Sequence, residues 1–288
     1  MIDIFKNILC CPRCREKLYI EAQKIFCPAC HGNVLLEDRF IDFGDLNQKL
    51  HLDLHSSIQE ITERAGEVMN DIEIDWRIDA VLKDVKRETK GSVCLEIGGA
   101  DGPMTPIIEN LFDTTLTLDY STNFLERIKN KTQKTFCIYS DAHFLPIQNN
   151  VLDMTICCEV LEHSTIPTQL LTELKRTIKK NGIIILSVPN EQILYYRKRH
   201  SSYHCAHASD THINFFTQDG LEKLLFRTGL EIIQMKTISP PIRSIRSFFG
   251  NLKGYIKRCF SGSFIVCIAK PMENPRMYWE SFYDKIRS

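Results

Sequence analysis

Glu96-Ile97-Gly98-Gly99-Ala100-Asp101-Gly102 follows an apolar run, Val93-Cys94-Leu95, and precedes a helix expected to open at Pro103. The apolar run reads as a short buried strand. The glycines after it permit a tight turn and let the backbone come close to a ligand. Glu96 ends the strand with a carboxylate, which suits a ligand with a cationic end. A pyrophosphate would instead want the bare N-terminus of a helix. The dinucleotide pattern G-x-G-x-x-G fails here, because Ala100 and Pro103 occupy its second and third glycine positions.

Working outward, a second apolar run, Thr115 to Leu118, ends on Asp119. An acid at the end of the second strand of a βαβ unit, roughly 20 residues past the glycines, is placed to bind ribose hydroxyls. A third run, Phe136 to Tyr139, leads to Asp141-Ala142, where a carboxylate can accept from an adenine amino group. A fourth, Met154 to Cys158, runs into Glu159-Val160-Leu161-Glu162-His163. Leu170, Leu171, Leu174 and Ile178 then recur near the helical period, and Asn181-Gly182 is expected to close that helix. A buried-looking strand follows from Ile183 to Val188, stopped by Pro189-Asn190. Further strands are expected at Leu230–Met235 and Phe264–Ala269. Strands alternating with helices at this spacing predict an α/β fold: a Rossmann-like, seven-stranded, mostly parallel sheet with helices on both faces. In such sheets ligands sit beyond the carboxyl ends of the strands, where every polar residue named above falls.

Residues 91–270 resemble a class I S-adenosylmethionine-dependent methyltransferase, most closely the large group that includes the ubiquinone-pathway O-methyltransferases. The stretches that carry the resemblance are LEIGGADG, LTLDYS, SDAHFLPIQNNVLDMTICCEVLEH, LLTELKRTIKKNGIIILSVPN and HINFFTQDGLEKLLFRTGLEII. The resemblance implies that Glu96, Gly98, Gly99 and Gly102 hold the methionine part of S-adenosyl-L-methionine and that Asp119 holds the ribose. It further implies Asp141 and Ala142 at the adenine, Tyr120 against the adenine ring, and Glu159 lining the pocket. One departure is Ala100, where the family usually has a third glycine; a slight shift of the turn is expected there.

A second feature stands at the N-terminal end. Cys11-Pro12-Arg13-Cys14 is answered by Cys27-Pro28-Ala29-Cys30, a C-x2-C-x12-C-x2-C spacing of the zinc-ribbon kind. Each pair makes a knuckle offering two thiolates, and Leu18 to Phe26 between them reads as a hairpin. Cys10 adjoins the first knuckle, but Cys11 is favoured because the CPxC form then repeats. A piece this small buries too little apolar surface to fold alone, so metal binding would supply its folding energy. Four cysteines leave no open ligand position, which predicts a structural zinc at Cys11, Cys14, Cys27 and Cys30. The segment through Phe40-Ile41-Asp42-Phe43 is similar to the zinc-ribbon domain of methyltransferase activator subunits. The expected organisation is a zinc ribbon (1–46), a helical linker or cover (47–90) and the methyltransferase domain (91–288), with a basic insert at 240–262.

Composition narrows the class. The chain has 288 residues, 36 basic and 36 acidic, so net charge supplies no global drive toward nucleic acid or membrane. No apolar run approaches the roughly 20 residues that span a bilayer, and no secretory signal precedes the cysteines. The other cysteines lie singly or inside apolar strands, which suits a reducing, cytoplasmic compartment. Ile58, Ile61 and Val68, then Ile78, Val81, Leu82 and Val85, predict two helices before the first catalytic-domain strand. The insert interleaves Arg243, Arg246, Lys253, Lys257 and Arg258 with aromatics and carries no acid from Pro240 to Ser263. Such a segment can rest on an anionic membrane surface or on RNA phosphates.

His163, just past the fourth strand, is the expected catalytic base, since imidazole titrates near neutrality. Glu159, Glu162, His163 and the downstream His212 could also hold a second, divalent cation that lowers an acceptor's pKa. That set looks like the metal site of small-RNA 2′-O-methyltransferases and of some ubiquinone-pathway enzymes. The leading expectation is methyl transfer to a small-molecule, lipid or saccharide acceptor, at oxygen. RNA methylation through the ribbon and insert is the first alternative, and a non-catalytic S-adenosylmethionine-binding scaffold the second.

Overall fold

The computed structural model describes residues 2–21, 24–46, 71–191, 212–238 and 264–273. The N-terminal part contains a helix, α1 (Ile2–Asn7), and four short antiparallel-paired strands: β1 (Tyr19–Glu21), β2 (Lys24–Phe26), β3 (Asn33–Glu37) and β4 (Phe40–Asp42). After it come α2 (Asp71–Glu88), β5 (Val93–Ile97), α3 (Thr105–Ile108), β6 (Thr114–Asp119), α4 (Thr122–Lys131), β7 (Phe136–Tyr139) and β8 (Leu152–Cys158). The chain continues through α5 (Pro167–Thr177), β9 (Ile178–Pro189), α6 (Gln218–Arg227), β10 (Leu230–Ile238) and β11 (Phe264–Pro271).

The strands form one sheet in the order β1-β2-β3-β4-β7-β6-β5-β8-β9-β11-β10. From β7 through β9 the neighbours are parallel, while β11 runs antiparallel to both β9 and β10. These seven strands are the sheet expected from the apolar runs, with helices on both faces. On one face Leu170, Leu171 and Leu174 of α5 and Leu221 and Leu225 of α6 join Leu95, Leu116 and Leu186 in a single core. On the other, Val81, Leu82 and Val85 of α2 and Ile108 of α3 pack with Cys94, Met154 and Ile185. Alternation along each buried strand thus feeds two helical layers.

The N-terminal ribbon is an extension of this sheet. β4 pairs in parallel with β7, the edge of the seven-stranded sheet, in the register Phe40↔Cys137, Ile41↔Ile138 and Asp42↔Tyr139. Ile41, Phe43 and Leu46 are fully buried in the same core as Leu118 and Ile138. Arg39 reaches the end of α4 and donates to the Lys129, Thr132 and Thr135 carbonyls and to Thr132 Oγ1 at 2.9–3.1 Å. A second tie runs from Arg15 to Glu173 of α5 at 2.9 Å and to the Leu145 carbonyl at 2.7 Å. The edge of β7 is thereby covered, which removes an open row of backbone donors and acceptors.

Two expectations need correction. The helix before β9 ends at Thr177 and not at Asn181-Gly182, which lie inside β9. Gly182 serves close packing instead: a Cβ there would stand 2.6 Å from Ile178 Cγ1 and 3.0 Å from the Asp153 carbonyl. The helix after the glycine turn opens at Thr105 and not at Pro103. Of the two helices expected before β5, α2 carries Val81, Leu82 and Val85 on its buried face; Ile58, Ile61 and Val68 lie outside the described residues, as does the insert at 240–262. Among the described residues, no helix is long and apolar enough to cross a membrane.

Candidate cofactor and active site

The cleft at the carboxyl ends of the parallel strands, about 130 Å³ in volume, is walled by the segments that follow β5, β6, β7 and β8 and by Leu170 of α5. Its lining includes Gly98, Asp119, Tyr120, Asp141, Ala142, His143, Val160, His163 and Ser164. The glycine turn takes left-handed backbone at Gly98 (φ 69°), Ala100 (φ 45°) and Gly102 (φ 70°). A Cβ at Gly98 would stand 2.4 Å from Val160 Cγ2, so glycine is required by conformation and by space alike. Gly99 packs against Ile128 and Thr117 in the floor of the turn. Ala100 adopts the same left-handed region with its methyl exposed, which keeps the turn at a cost of about 1 kcal/mol.

Glu96 sits beneath this turn, 1% exposed. Thr105 Oγ1 donates to its Oε2 at 2.5 Å, whereas Oε1 has no hydrogen-bond partner among the described residues. Burial raises its pKa from 4.5 to about 7; the Thr105 bond opposes the rise and the charge of Asp119 adds to it. A buried carboxylate with one open oxygen matches the cationic amino end expected of the ligand. Asp119, at the end of β6, accepts from the Ser121 amide at 2.9 Å, and Tyr120 packs at 5.4 Å from Tyr139. Asp141 caps the turn after β7 by accepting from the His143 amide at 2.8 Å.

Past β8 the chain turns sharply. Glu159 has left-handed backbone (φ 57°), and its carboxylate accepts from Ser187 Oγ at 2.7 Å and lies 3.5 Å from Arg77 of α2. Burial raises its pKa, opposed by the Arg77 charge and the Ser187 bond. Glu162 follows on a short 3-10 turn, Leu161–His163, 1% exposed. Neither of its oxygens has a hydrogen-bond partner among the described residues, and burial together with the Glu159 charge drives its pKa well above the usual range. His163, on the cleft wall, lies 4.0 Å from Glu162 through Nε2, and its ring meets that of His212 edge-on at 4.9 Å. The segment that follows His212 is tied to this turn: the Ile213 and Asn214 amides donate to the Glu162 carbonyl at 3.0 Å, and Asn214 Nδ2 donates to the Ser164 carbonyl at 2.6 Å.

Donor atoms of Glu162, His163 and His212 lie within 4.8 Å of one another. Glu159 stands outside this group, a correction to the four-residue set read from the sequence: its backbone turn aims the carboxylate at Ser187 and Arg77. Arg77, which also stacks at 4.5 Å on Phe264, was not foreseen, because nothing in a helical residue's local sequence marks a partner on another loop. His200, His204 and His207 lie outside the described residues.

At the N-terminal end the Sγ atoms of Cys11, Cys14, Cys27 and Cys30 lie within 4.8 Å of one another; Cys10 is outside the group. The Cys14 and Cys27 sulfurs are 3.4 Å apart. A tetrahedral zinc with bonds of about 2.3 Å sets its sulfurs just under about 4 Å apart, which this donor set fits.

Residues 74–235 match the family model of a methyltransferase domain, which covers more than half of the chain. An uncharacterized protein of Methanocaldococcus jannaschii is 30% identical over 128 residues, 44% of this chain and 55% of that one. Malonyl-[acyl-carrier protein] O-methyltransferase of Buchnera aphidicola is 28% identical over 114 residues, 38% of this chain and 46% of that one. The chain therefore spans about half the length of the curated relatives it matches. Among solved structures, an S-adenosylmethionine-dependent methyltransferase of Archaeoglobus fulgidus shares the fold with TM-score 0.52 and 16% identity, covering 68% of this chain and 93% of that one. A chain from the complex of the Haloferax volcanii Trm112 methyltransferase activator with a candidate methyltransferase gives TM-score 0.51 and 14% identity, over 70% and 97%. Sheet order, glycine turn, strand-end acids and family match agree, and the chain belongs to the class I S-adenosylmethionine-dependent methyltransferases.

Proposed function

We propose that this chain transfers a methyl group from S-adenosylmethionine to an oxygen of a small-molecule, lipid or saccharide acceptor. The observation that supports the reading is that His163 lines the cleft at the strand ends, with donor atoms of Glu162 and His212 within 4.8 Å of its own. S-adenosylmethionine, when bound, supplies an electrophilic methyl on a sulfonium, so alignment and desolvation are the protein's main contributions. Glu96 and the Gly98–Gly102 turn would hold its methionine part, Asp119 its ribose, and Tyr120, Asp141 and Ala142 its adenine. Glu159, bound to Ser187 and Arg77, would line the sulfonium side with negative charge.

An oxygen acceptor has a proton to lose, and His163 is the group on the cleft wall suited to take it. The same residues have an alternative use, in which the His163 ring is a metal ligand and not the base. A buried carboxylate and two imidazoles are a donor set for a divalent cation, which would lower the acceptor's pKa. Glu162 supports that assignment, since a buried carboxylate without hydrogen bonds is stable only when protonated or paired with a positive charge. The four N-terminal thiols would hold a structural zinc, and the ribbon (1–46), cover (47–90) and catalytic domain (91–288) would act as one unit.

The test uses methyl-labelled S-adenosylmethionine, the purified protein and an extract from cells lacking it. Label that survives nuclease and fractionates with small molecules, lipid or glycan is the expected result. Nuclease-sensitive label would overturn the acceptor class and direct attention to the ribbon and the 240–262 insert as RNA contacts.

A further inference from the structure

Asp141, His143 and Ser164 form a buried, hydrogen-bonded chain along one wall of the cleft. His143 Nδ1 is 2.7 Å from Asp141 Oδ1, and His143 Nε2 is 2.7 Å from Ser164 Oγ. The three residues are 3%, 2% and 3% exposed, so water does not compete for these bonds. The carboxylate fixes the proton on Nδ1, leaving Nε2 to accept from the serine hydroxyl. Asp141 Oδ1 thus accepts twice from one residue, from the His143 amide at 2.8 Å and from its ring. This double hold sets the plane of the carboxylate.

The backbone that carries the ring is itself held. Gln169 Nε2 of α5 donates to the His143 carbonyl at 3.1 Å. Ser164 is anchored through its amide to the Leu161 carbonyl at 3.2 Å and through its carbonyl to Asn214 Nδ2 at 2.6 Å. The imidazole is therefore a strut between the turn after β7 and the turn after β8, which meet at this wall of the cleft.

We propose that His143, braced by Ser164, is a positioning residue that orients Asp141 to recognise the 6-amino group of the cofactor's adenine. The proposal rests on the reading of Asp141 as the adenine-side acid and extends it to the residues that aim that acid. The strut also joins the adenine wall to the turn bearing Glu162 and His163, so base recognition is built into the same element that presents the acceptor side.

The experiment measures calorimetric affinities of the full-length protein for S-adenosylhomocysteine and for its deaminated analogue, S-inosylhomocysteine, which lacks the 6-amino group. The quantity read is the ratio of the two affinities, because a general loss of fold weakens both ligands together. His143→Ala is expected to lower the ratio about tenfold, the scale of one hydrogen bond to a charged group. His143→Asn, which keeps a donor near Nδ1, should recover most of it, and Ser164→Ala should lower it by a smaller factor. Should His143→Ala fail to fold, Ser164→Ala carries the test, and an unchanged ratio in that variant refutes the strut. A normal ratio in His143→Ala alongside a reduced one in Asp141→Ala would overturn the proposal and leave the adenine reading of Asp141 intact. An unchanged ratio in Asp141→Ala would overturn both.

Discussion

Replacing Glu96 by glutamine should stabilise the cofactor-free protein at alkaline pH while weakening cofactor binding. The folded-state pKa of Glu96 lies at about 7 against 4.5 for an ordinary glutamate, chiefly through burial. The folded state then holds a proton that the unfolded state releases between these values, so stability falls as pH rises from about 4.5 to about 7. The penalty is complete above about pH 7 and amounts to about 3 kcal/mol; between pH 5 and pH 8 it grows by about 2.5 kcal/mol. Glutamine removes the titration and keeps a carbonyl for the Thr105 hydroxyl, though its new amide needs an acceptor where Oε1 now has no partner among the described residues. That mismatch costs about 1–3 kcal/mol and is the same at both pH values. Urea unfolding of both proteins at pH 5 and pH 8 isolates the titrating part. The stability difference should move in the variant's favour by about 2.5 kcal/mol from the lower pH to the higher. Calorimetry with S-adenosylhomocysteine should show wild-type affinity rising through about pH 7, as the carboxylate ionises to meet the ligand's ammonium, and a flat profile in the variant. An equal stability difference at pH 5 and pH 8 would falsify the assignment of Glu96 as a carboxylate held partly protonated by burial.

Other consequences are more direct. Asp119→Ala should weaken S-adenosylhomocysteine binding by about 10- to 100-fold, the range of one or two hydrogen bonds to a charged acceptor; unchanged affinity in calorimetry would remove Asp119 from the ribose. Arg39→Ala strips hydrogen bonds from three carbonyls and the Thr132 hydroxyl at the end of α4 and should cost about 2–3 kcal/mol in urea unfolding, whereas a loss under about 0.5 kcal/mol, the size of a surface change, would show that the ribbon edge contributes little. Metal analysis should find about one tightly held zinc that disappears in the Cys14→Ser, Cys27→Ser double variant, and a chelator should lower the melting temperature of the wild type alone. Glu162→Gln should abolish binding of manganese or cobalt, read by magnetic resonance or visible absorption; retained binding would move the cation elsewhere.

The parallel strands were legible because each is a short run of apolar and β-branched residues buried on both faces. Phe136–Tyr139 coincides with β7 to the residue. Strand-end acids were legible because a carboxylate stands out where an apolar run closes: Asp119 is the last residue of β6, and Glu96 lies one residue inside the end of β5. Asn181-Gly182 misled because glycine after an amphipathic helix signals a C-cap, and here it answers a steric need against Ile178 within β9. The pairing of β4 with β7 joins Phe40 to Cys137, and a contact between such distant segments leaves no local periodicity to read. His143 follows Asp141-Ala142 directly, yet its significance lies in Ser164, which only the folded cleft brings to its Nε2. Gathering Glu162, His163 and His212 likewise needed the tie between Asn214 and the 3-10 turn, while the spacing of Glu159 suggested a fourth member that the backbone turns away.

The cleft collects features that work against folding. Two buried carboxylates, Glu96 and Glu162, have oxygens with no hydrogen-bond partner among the described residues, and Ala100 and Glu159 hold left-handed backbone without being glycine. Costs of this kind persist where the surrounding structure over-determines them, and here the surroundings are specific. Gly98 leaves no room for the turn to relax against Val160, Ser187 and Arg77 pin Glu159, and the Ile213 and Asn214 amides fix the backbone of Glu162. On the proposed function a positive charge would relieve each carboxylate: the ammonium of the cofactor at Glu96 and a divalent cation at Glu162. Ligand binding would then return stability that the empty cleft forgoes, and it would do so at both ends of the line from cofactor to acceptor. Neutralising Glu96 should therefore make the protein harder to unfold at alkaline pH and less able to bind, which is the trade-off expected of a site and not of a core.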